Sequence, residues 1–221
     1  MVARRWSGKP RGGVDAAHAG WQTPWMLSSD EIQQVRDGLW FWQRFQPSVK
    51  VDCSSCAVRV GKQLILVDPI PLAAEALEEL CSFGEIAGIV ATSGNHDRAV
   101  AEMRKRFGVP VFAHAAAGLE MDRAVCEGDV IFDQLEVVEI PGAGPGEIAL
   151  FDPRGWVIVG DALTNLEPDG LALLPAKYCL DHDEMRGALR KLLRFPIEIL
   201  TFAHGLPLAS RARSRLENLL A

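Results

Sequence analysis

Residues 86–98, IAGIVATSGNHDR, are the part of this chain that decides the fold, because an apolar segment runs directly into a polar loop. The apolar part, residues 86–91, has the length and composition of a short buried strand. Apolar residues at helical spacing follow the loop, and Gly108 is typical of a helix end. The stretch therefore predicts a strand, a loop that carries His96 and Asp97, and a helix.

Upstream of this stretch, alternating apolar residues predict a β-hairpin with strands at about residues 49–60 and 64–67. A helix at about 71–84 joins the hairpin to the next strand, since its apolar residues recur on one helical face. Another strand is expected at 109–113. This half of the chain predicts one sheet that is covered by helices on one face.

The second half of the chain repeats this organisation. Four strands, a helix, a strand and a final helix are predicted at residues 130–132, 135–140, 147–151, 156–160, 183–193, 198–202 and 207–220. Two β-rich halves with helices outside them predict an α+β fold, a four-layer αββα sandwich. Residues 21–221 are expected to form a single domain. Residues 1–20, rich in Gly, Pro and Arg, are expected to form a flexible tail.

Four of the six tryptophans lie between residues 21 and 42. They are Trp21, Trp25, Trp40 and Trp42. Their large apolar rings are expected to pack as a cap on the core, and the alternative is an exposed surface that binds a partner.

The composition excludes several classes of partner. The chain has 48% hydrophobic and 24% charged residues and a net charge of −6, which is ordinary for a globular protein. An acidic chain is poorly suited to bind a nucleic-acid backbone, and no apolar stretch is long enough to span a membrane. We therefore expect a cytoplasmic protein without nucleic-acid or membrane partners. Its small-molecule or protein partner is left open.

The chain contains five cysteines, an odd number, and two of them form the pattern Cys53-x-x-Cys56. On a strand, residues three apart point to opposite faces, so this pair is not expected to share a metal ion or a disulfide. No second pair follows at zinc-finger spacing. Free cysteines in a reducing compartment are expected.

Five short motifs occur in a fixed order along the chain: Val67-Asp68-Pro69, residues 92–98, Pro141-Gly142-Ala143-Gly144-Pro145-Gly146, Gly160-Asp161-Ala162 and Ala203-His204-Gly205. Together they resemble the metallo-β-lactamase superfamily in its short glyoxalase-II-like form, from about residue 38 onwards. In that family, histidines and aspartates at these positions hold two metal ions. The resemblance implies the αββα fold and a hydrolase-like site.

This sequence departs from the family pattern at most of the ligand positions. The three histidines of the first metal site are replaced by Ser93, Asn95 and Ala143. The ligands that remain at the second site are Asp97, Asp161 and His204. Arg98 replaces a further histidine, and a guanidinium has no lone pair to offer a metal. The resemblance therefore implies a degenerate metal site and a pseudoenzyme.

Two interpretations of the remaining residues follow. In the favoured one, no metal binds and Arg98 pairs with Asp97 or Asp161 in a cleft lined by Ser93, Asn95 and Ala143. That cleft would bind a small anionic ligand or a partner, and the protein would be silent or weakly active. In the alternative, Asp97, Asp161 and His204 hold one Zn, Fe or Mn ion that hydrolyses a small ester, thioester or lactone.

Each of these residues also has a purely structural explanation. Asp97 is placed to cap the helix that follows it, Asp161 to bind loop amides, and His204 to satisfy a buried carbonyl. His96 occupies a variable position of the family motif and is expected to point to the surface, with a general-base role as the alternative. If the site is catalytic, its candidates are Arg98, Asp161 and His96.

Overall fold

Two β-sheets pack face to face in the computed structural model, which describes residues 28–221. The first sheet has seven strands, which lie in sequence order across it. They are β1 (Gln33–Arg36), β2 (Leu39–Gln46), β3 (Val51–Val60), β4 (Gln63–Val67), β5 (Glu85–Ala91), β6 (Val111–His114) and β7 (Arg123–Val125). Strands β1 to β4 are antiparallel, and β4 to β7 are parallel.

The second sheet has five strands in the order β14-β11-β10-β9-β8. They are β8 (Val130–Ile131), β9 (Leu135–Glu139), β10 (Ile148–Asp152), β11 (Trp156–Val159) and β14 (Ile199–Phe202). Only β11 and β14 pair in parallel in this sheet. A separate hairpin, β12 (Leu163–Leu166) with β13 (Gly170–Leu173), follows β11.

Four helices cover the outer faces of the two sheets. They are α1 (Ala74–Cys81) and α2 (Val100–Phe107) on the first sheet, and α3 (His182–Leu189) and α4 (Ala212–Leu220) on the second. The buried side chains form three clusters: one under α1 and α2, one between the sheets, and one under α3 and α4. The layers therefore run helix, sheet, sheet, helix, which confirms the predicted αββα sandwich. Within residues 28–221, no helix has the length and apolar content to cross a membrane.

The alternation of side chains on β3 explains the two cysteines predicted to face apart. Cys53 packs with Trp40 and Trp42 under the helices, whereas Cys56 packs between the sheets. All five cysteines are free, as predicted. Trp40 and Trp42 are 1% and 2% exposed, so the buried alternative is confirmed for them, although they lie in a strand, β2, that we did not predict.

Several predictions concern residues outside the described range. The tail expected at residues 1–20 is one of them, and the burial of Trp21 and Trp25 is another. The remaining predicted elements match those observed to within a few residues, with α4 the exception because it begins at Ala212 and not near residue 207.

Four strands end at one edge of the sandwich and bring the motifs together there. Asp68 follows β4, the loop of residues 92–98 follows β5, Asp161 lies just after β11, and His204 lies just after β14. Because β4 pairs in parallel with β5, and β11 with β14, their carboxyl ends meet at common edges. The polar ends of both sheets therefore form one candidate site.

The turn at residues 141–146 rests on the start of α3. The N–H of Asp181 donates to the carbonyl oxygen of Gly142 at 2.9 Å, and Oδ1 of Asp181 accepts from the N–H of Glu184 at 2.9 Å. Asp181 is thus the N-cap of α3 and also positions the turn that contains Ala143.

Replacing this cap should weaken the fold by a modest amount. Asp181→Ala removes the acceptor for an N–H in the first turn of α3 and should lower the free energy of unfolding by about 1 kcal/mol. Urea unfolding followed by circular dichroism measures the change. Asp181→Asn keeps an acceptor oxygen and should retain most of the stability. Equal losses in both variants would show that the cap is not the cause.

Candidate metal centre

Three side chains of metal-ligand type converge at this edge. Oδ1 of Asp161 lies 3.0 Å from Nε2 of His96 and 3.2 Å from Nε2 of His204. The three ligand atoms lie within 4.8 Å of one another. In the part of the chain that the structure describes, this is the one group of three or more His, Cys, Asp or Glu residues with such spacing.

In both imidazoles, an oxygen atom lies within hydrogen-bond distance of Nδ1. Nδ1 of His96 lies 3.0 Å from Oδ2 of Asp68, and Nδ1 of His204 lies 2.8 Å from the carbonyl oxygen of Asp52. A carbonyl and an ionised carboxylate only accept, so their positions assign the hydrogen to Nδ1 in both rings. Both Nε2 atoms therefore face Asp161, in the arrangement that is usual for metal-binding histidines.

Asp68 contacts both the His96 ring and Thr92 in the loop after β5. It is 3% exposed, and its carboxylate accepts from the backbone N–H of Thr92 at 2.7 Å and from the Thr92 hydroxyl at 2.5 Å. Its backbone has φ of +48°, in the left-handed region that non-glycine residues rarely adopt. Asp68 therefore keeps a strained conformation at the end of β4, where it holds both the loop and the His96 ring.

The carboxylates control the charge of the two histidines. Burial alone would lower the pKa of His96, but Asp68 and Asp161 outweigh it and raise that pKa to about 10. Burial also opposes protonation of His204, yet its hydrogen bond to Asp161 raises the pKa to about 9. Burial would raise the pKa of Asp161, but the two imidazoles hold it well below its usual value. Without a metal ion, the site is thus a network of two imidazolium and two carboxylate groups.

Arg98 is buried beneath this network and is 4% exposed. Its Nη1 donates to the carbonyl oxygens of Ser54 and Asp68 at 2.7 and 3.2 Å, and its Nη2 donates to that of Ala203 at 3.3 Å. These carbonyls belong to β3, to the end of β4 and to the segment after β14. The guanidinium therefore joins the two sheets below the site.

The expected pairing of Arg98 with Asp97 or Asp161 is wrong. Within residues 28–221, the hydrogen bonds of the Arg98 side chain go to backbone carbonyls and not to carboxylates. The reason is that the Arg98 side chain is buried against carbonyls of both sheets, whereas Asp97 is exposed. The cleft lined by a free arginine is therefore not formed.

The structure places His96, and not Asp97, in the group of possible metal ligands. His96 is 1% exposed, so the prediction that it points to the surface is wrong. Its N–H donates to the carbonyl oxygen of Ser93 at 3.0 Å, and this turn places the ring beside Thr92 and Asp161. Asp97 is exposed and lies outside the ligand group.

One of the structural explanations is supported by the hydrogen bonds and another is wrong. Oδ1 of Asp97 accepts from the N–H of the next residue, Arg98, at 2.8 Å, but Ala99 is the N-cap of α2 and no side chain caps it, so Asp97 is not the expected helix cap. The ring of His204 satisfies a carbonyl through Nδ1. Its Nε2 remains directed at Asp161, so this structural role and a ligand role are compatible.

The residues expected to line the cleft have three different environments. Ser93 is fully buried, and Asn95 is exposed and donates from Nδ2 to Oδ2 of Asp161 at 3.4 Å. Ala143 is also fully buried, but it packs with Met185 in the cluster under α3 and α4. The expectation that Ala143 lines the cleft is therefore wrong, because its methyl group belongs to the hydrophobic core.

Sequence reasoning missed Glu147, a carboxyl group that is 3% exposed beside the site. Its Oε1 accepts from the N–H of Ala162 at 3.0 Å, while Oε2 has no hydrogen-bond partner among the described residues. Burial and the charge of Asp161 raise the pKa of Glu147 to about 8. The available signal was a charged residue directly before an apolar strand, β10, whose residues are all buried.

Comparisons with known proteins show the family and the fold of this chain. A family model of the metallo-beta-lactamase superfamily matches residues 33–221. A metallo-beta-lactamase from Pontibacter korlensis superposes with a TM-score of 0.67 at 19% identity, covering 86% of this chain and 98% of that one. The DIM-1 metallo-beta-lactamase superposes with a TM-score of 0.69 at 15% identity, covering 87% and 98%.

A metallo-beta-lactamase from Erythrobacter litoralis gives a TM-score of 0.64 at 16% identity, covering 88% of this chain and 94% of that one. No curated protein sequence matches significantly. At such identities the structural likeness establishes the fold, and the family match extends over most of the sequence. With the motifs gathered at the strand ends of an αββα sandwich, the chain belongs to the metallo-β-lactamase superfamily, as a hydrolase-like member.

Proposed function

We propose that the protein is a hydrolase that uses one divalent metal ion, held by His96, Asp161 and His204. The observation that carries this proposal is the convergence of both Nε2 atoms on Oδ1 of Asp161, at 3.0 and 3.2 Å. Imidazole nitrogen and carboxylate oxygen are the donors that zinc, iron and manganese accept. Three protein ligands leave a coordination position for water or substrate, as in catalytic sites.

The surroundings of the ligands also fit a metal ion. Asp68 and the carbonyl oxygen of Asp52 hold both imidazoles by Nδ1, so each ring offers Nε2 to the site. When bound, the ion would polarise a substrate carbonyl and acidify a bound water. That chemistry suits a small ester, thioester or lactone. Asn95 is exposed and His204 is partly exposed, so they border the approach to the site.

A metal-free binding protein is the second candidate, and one observation favours it. The two imidazolium groups pair with Asp68 and Asp161, so the site is ion-paired without any metal ion. Because Arg98 is buried and donates to backbone carbonyls, an anionic ligand would meet the partly exposed His204 instead. This candidate requires the two histidines to remain protonated at neutral pH.

Metal content distinguishes the two candidates. Protein purified without chelator should contain about one equivalent of zinc, iron or manganese by elemental analysis. His96→Ala and His204→Ala should each abolish binding, because each removes one of three ligands. Asp97→Ala is the matched control and should keep the metal, since this carboxylate lies outside the group. Loss of metal in Asp97→Ala with retention in His96→Ala would favour the family ligand set.

Absence of metal from every sample, even after reconstitution with zinc or manganese, would favour the metal-free candidate. If metal binds, the loaded protein should hydrolyse at least one member of a panel of small esters, thioesters and lactones. Asp161→Ala should abolish that activity. Stoichiometric metal without turnover on any substrate class would retain the metal site and overturn the hydrolase assignment.

A further inference from the structure

We propose that the substrate of the candidate metal centre carries an apolar acyl group, longer than acetyl, that lies on Tyr178, Leu180 and Leu206. We call these three exposed side chains the apolar border, because they lie beside the metal centre on the side of the second sheet. The inference rests on the proposed function and deepens it, since it names the substrate class of the same site.

Exposure is the first observation. Seven large hydrophobic side chains are exposed within residues 28–221, and the three of the apolar border are among them. Leu180 is 71% exposed, Tyr178 is 62% exposed and Leu206 is 38% exposed. Single exposed apolar residues are common in soluble proteins, but a group of them beside a cluster of polar ligands is typical of a binding surface.

The position of Leu206 is the second observation. Leu206 lies two residues after His204, and its N–H donates to the carbonyl oxygen of Asn165 at 3.1 Å. Nδ2 of Asn165 donates in return to the carbonyl oxygen of Leu206 at 2.7 Å. Asn165 belongs to β12, which begins two residues after Asp161. Leu206 is therefore fixed to both of the chain segments that supply these two ligands.

The segment of residues 174–181 is the third observation. The N–H of Leu174 donates to the carbonyl oxygen of Ala162 at 3.1 Å, and the N–H of Leu180 donates to that of Ala143 at 3.1 Å. Ala162 directly follows a proposed ligand, and Ala143 belongs to the turn at residues 141–146. Both ends of the segment are thus held at the site edge, and the segment exposes Tyr178 and Leu180 there.

The chemistry of the border determines what it binds. An ester, thioester or lactone has one polar reacting group, the carbonyl, and an acyl group that is free to be apolar. When the carbonyl lies at the metal centre, an alkyl or aromatic acyl group can cover the border and remove apolar surface from water, which is favourable in proportion to the area buried. A charged acyl group would lose hydration on the same surface without gaining a partner.

A second copy of this chain is the competing occupant of the border. A stable protein interface buries about 800 Å² on each partner and uses roughly 20–30 residues a side. The border offers three side chains, and they are continuous with a polar site that a protein face would also have to cover. The size and position of the border therefore favour a small apolar group.

Binding of linear carboxylates tests the inference, because a carboxylate is the product of ester hydrolysis and carries the same acyl group. Acetate, hexanoate and octanoate are titrated by calorimetry into zinc-loaded protein and into protein in chelator. The Kd should fall by about two- to fourfold for each added methylene, the upper value being that of a fully buried methylene. The carboxylate end would meet the metal ion or the partly exposed His204.

Substitutions locate the binding surface. Leu180→Ser and Leu206→Ser should each weaken octanoate binding by about fivefold or more and change acetate binding by less than about twofold. Val130→Ser is the matched control, since Val130 is 56% exposed on β8, at the opposite side of the second sheet from β14. It should keep the affinity for both carboxylates. Because all three side chains are exposed, the thermal midpoints of the variants should match that of wild type.

Each outcome separates this inference from the proposed function. Equal affinity for acetate and octanoate, or no binding of either, overturns the apolar border and leaves a metal-dependent hydrolase intact. An equal loss in Val130→Ser and Leu180→Ser shows unspecific adsorption and also overturns it. Chain-length dependence in a protein that never binds metal keeps the border as a ligand surface and overturns the hydrolase.

Light scattering tests the competing occupant. A wild-type mass of two chains that falls to one chain in Leu180→Ser would assign the border to a second copy and overturn the inference. The expected mass is the same for wild type, Leu180→Ser and Val130→Ser.

Discussion

Arg98→Ala should lower the free energy of unfolding by about 3–5 kcal/mol, the range for removing a buried charged group from its partners. The side chain makes three hydrogen bonds to carbonyls of both sheets, and its charge helps to keep the pKa of the buried Asp68 low. Its removal leaves a cavity and an anion with less compensation. Urea unfolding in chelator measures the loss.

Two further variants test whether the loss of stability comes from the buried contacts of Arg98. Arg98→Lys keeps the charge but lacks the planar fork that reaches three carbonyls, so an intermediate loss is expected. Arg44→Ala removes an arginine that is 43% exposed in its side chain and pairs with Asp30 at the surface, which should cost less than about 1 kcal/mol. A loss in Arg98→Ala as small as that in Arg44→Ala would contradict the assigned role.

The metal-free protein should lose stability as the pH rises from about 6.5 towards 10. The folded-state pKa values of His96 and His204, about 10 and about 9, lie above the unfolded value, because Asp68 and Asp161 favour the charged rings against the effect of burial. Their stabilisation is complete below the unfolded pKa of about 6.5 and is lost as the pH rises through the folded values. The slope is up to about 1.4 kcal/mol per pH unit for each group.

Glu147 adds to the same trend at lower pH. Burial and Asp161 raise its pKa to about 8, so the folded protein binds its proton more tightly than the unfolded chain does, and stability falls as the pH rises between about 4.5 and 8. Asp161 behaves in the opposite way, because the imidazoles lower its pKa despite burial. Its contribution is present above about pH 4 and is lost on acidification.

Urea unfolding in chelator at pH 5, 7 and 9 measures this profile. The free energy of unfolding should decrease at each step, and His96→Gln should flatten the change between pH 7 and 9. His182→Gln, at the start of α3, is the control and should keep the wild-type profile. Metal affinity should rise over the same pH range, because binding requires neutral imidazoles. A metal-free protein that is most stable at pH 9 would contradict the assigned charges.

Much of the fold follows from local sequence. The hairpin of β3 and β4, the strand β5 and the helix α2 were predicted because their hydrophobic periods extend over only a few residues. The short motifs likewise pointed to Asp161 and His204 as candidate site residues. Each lies directly after a strand, and the ends of strands can be recognised in the sequence. The hairpin of β12 and β13 was missed, since its residues are only partly buried and show no clear alternation.

The sequence by itself determined the αββα sandwich, the free cysteines and the edge at which polar residues gather. Only the tertiary structure decided which side chains of the loop after β5 face inward. The orientation of His96 depends on Asp68 at the end of another strand and on Asp161, 65 residues away along the chain. The burial of Glu147 depends on the space left by glycines from two separate segments. Hydrophobic periodicity carries no information about such contacts, because they join polar side chains across the two sheets.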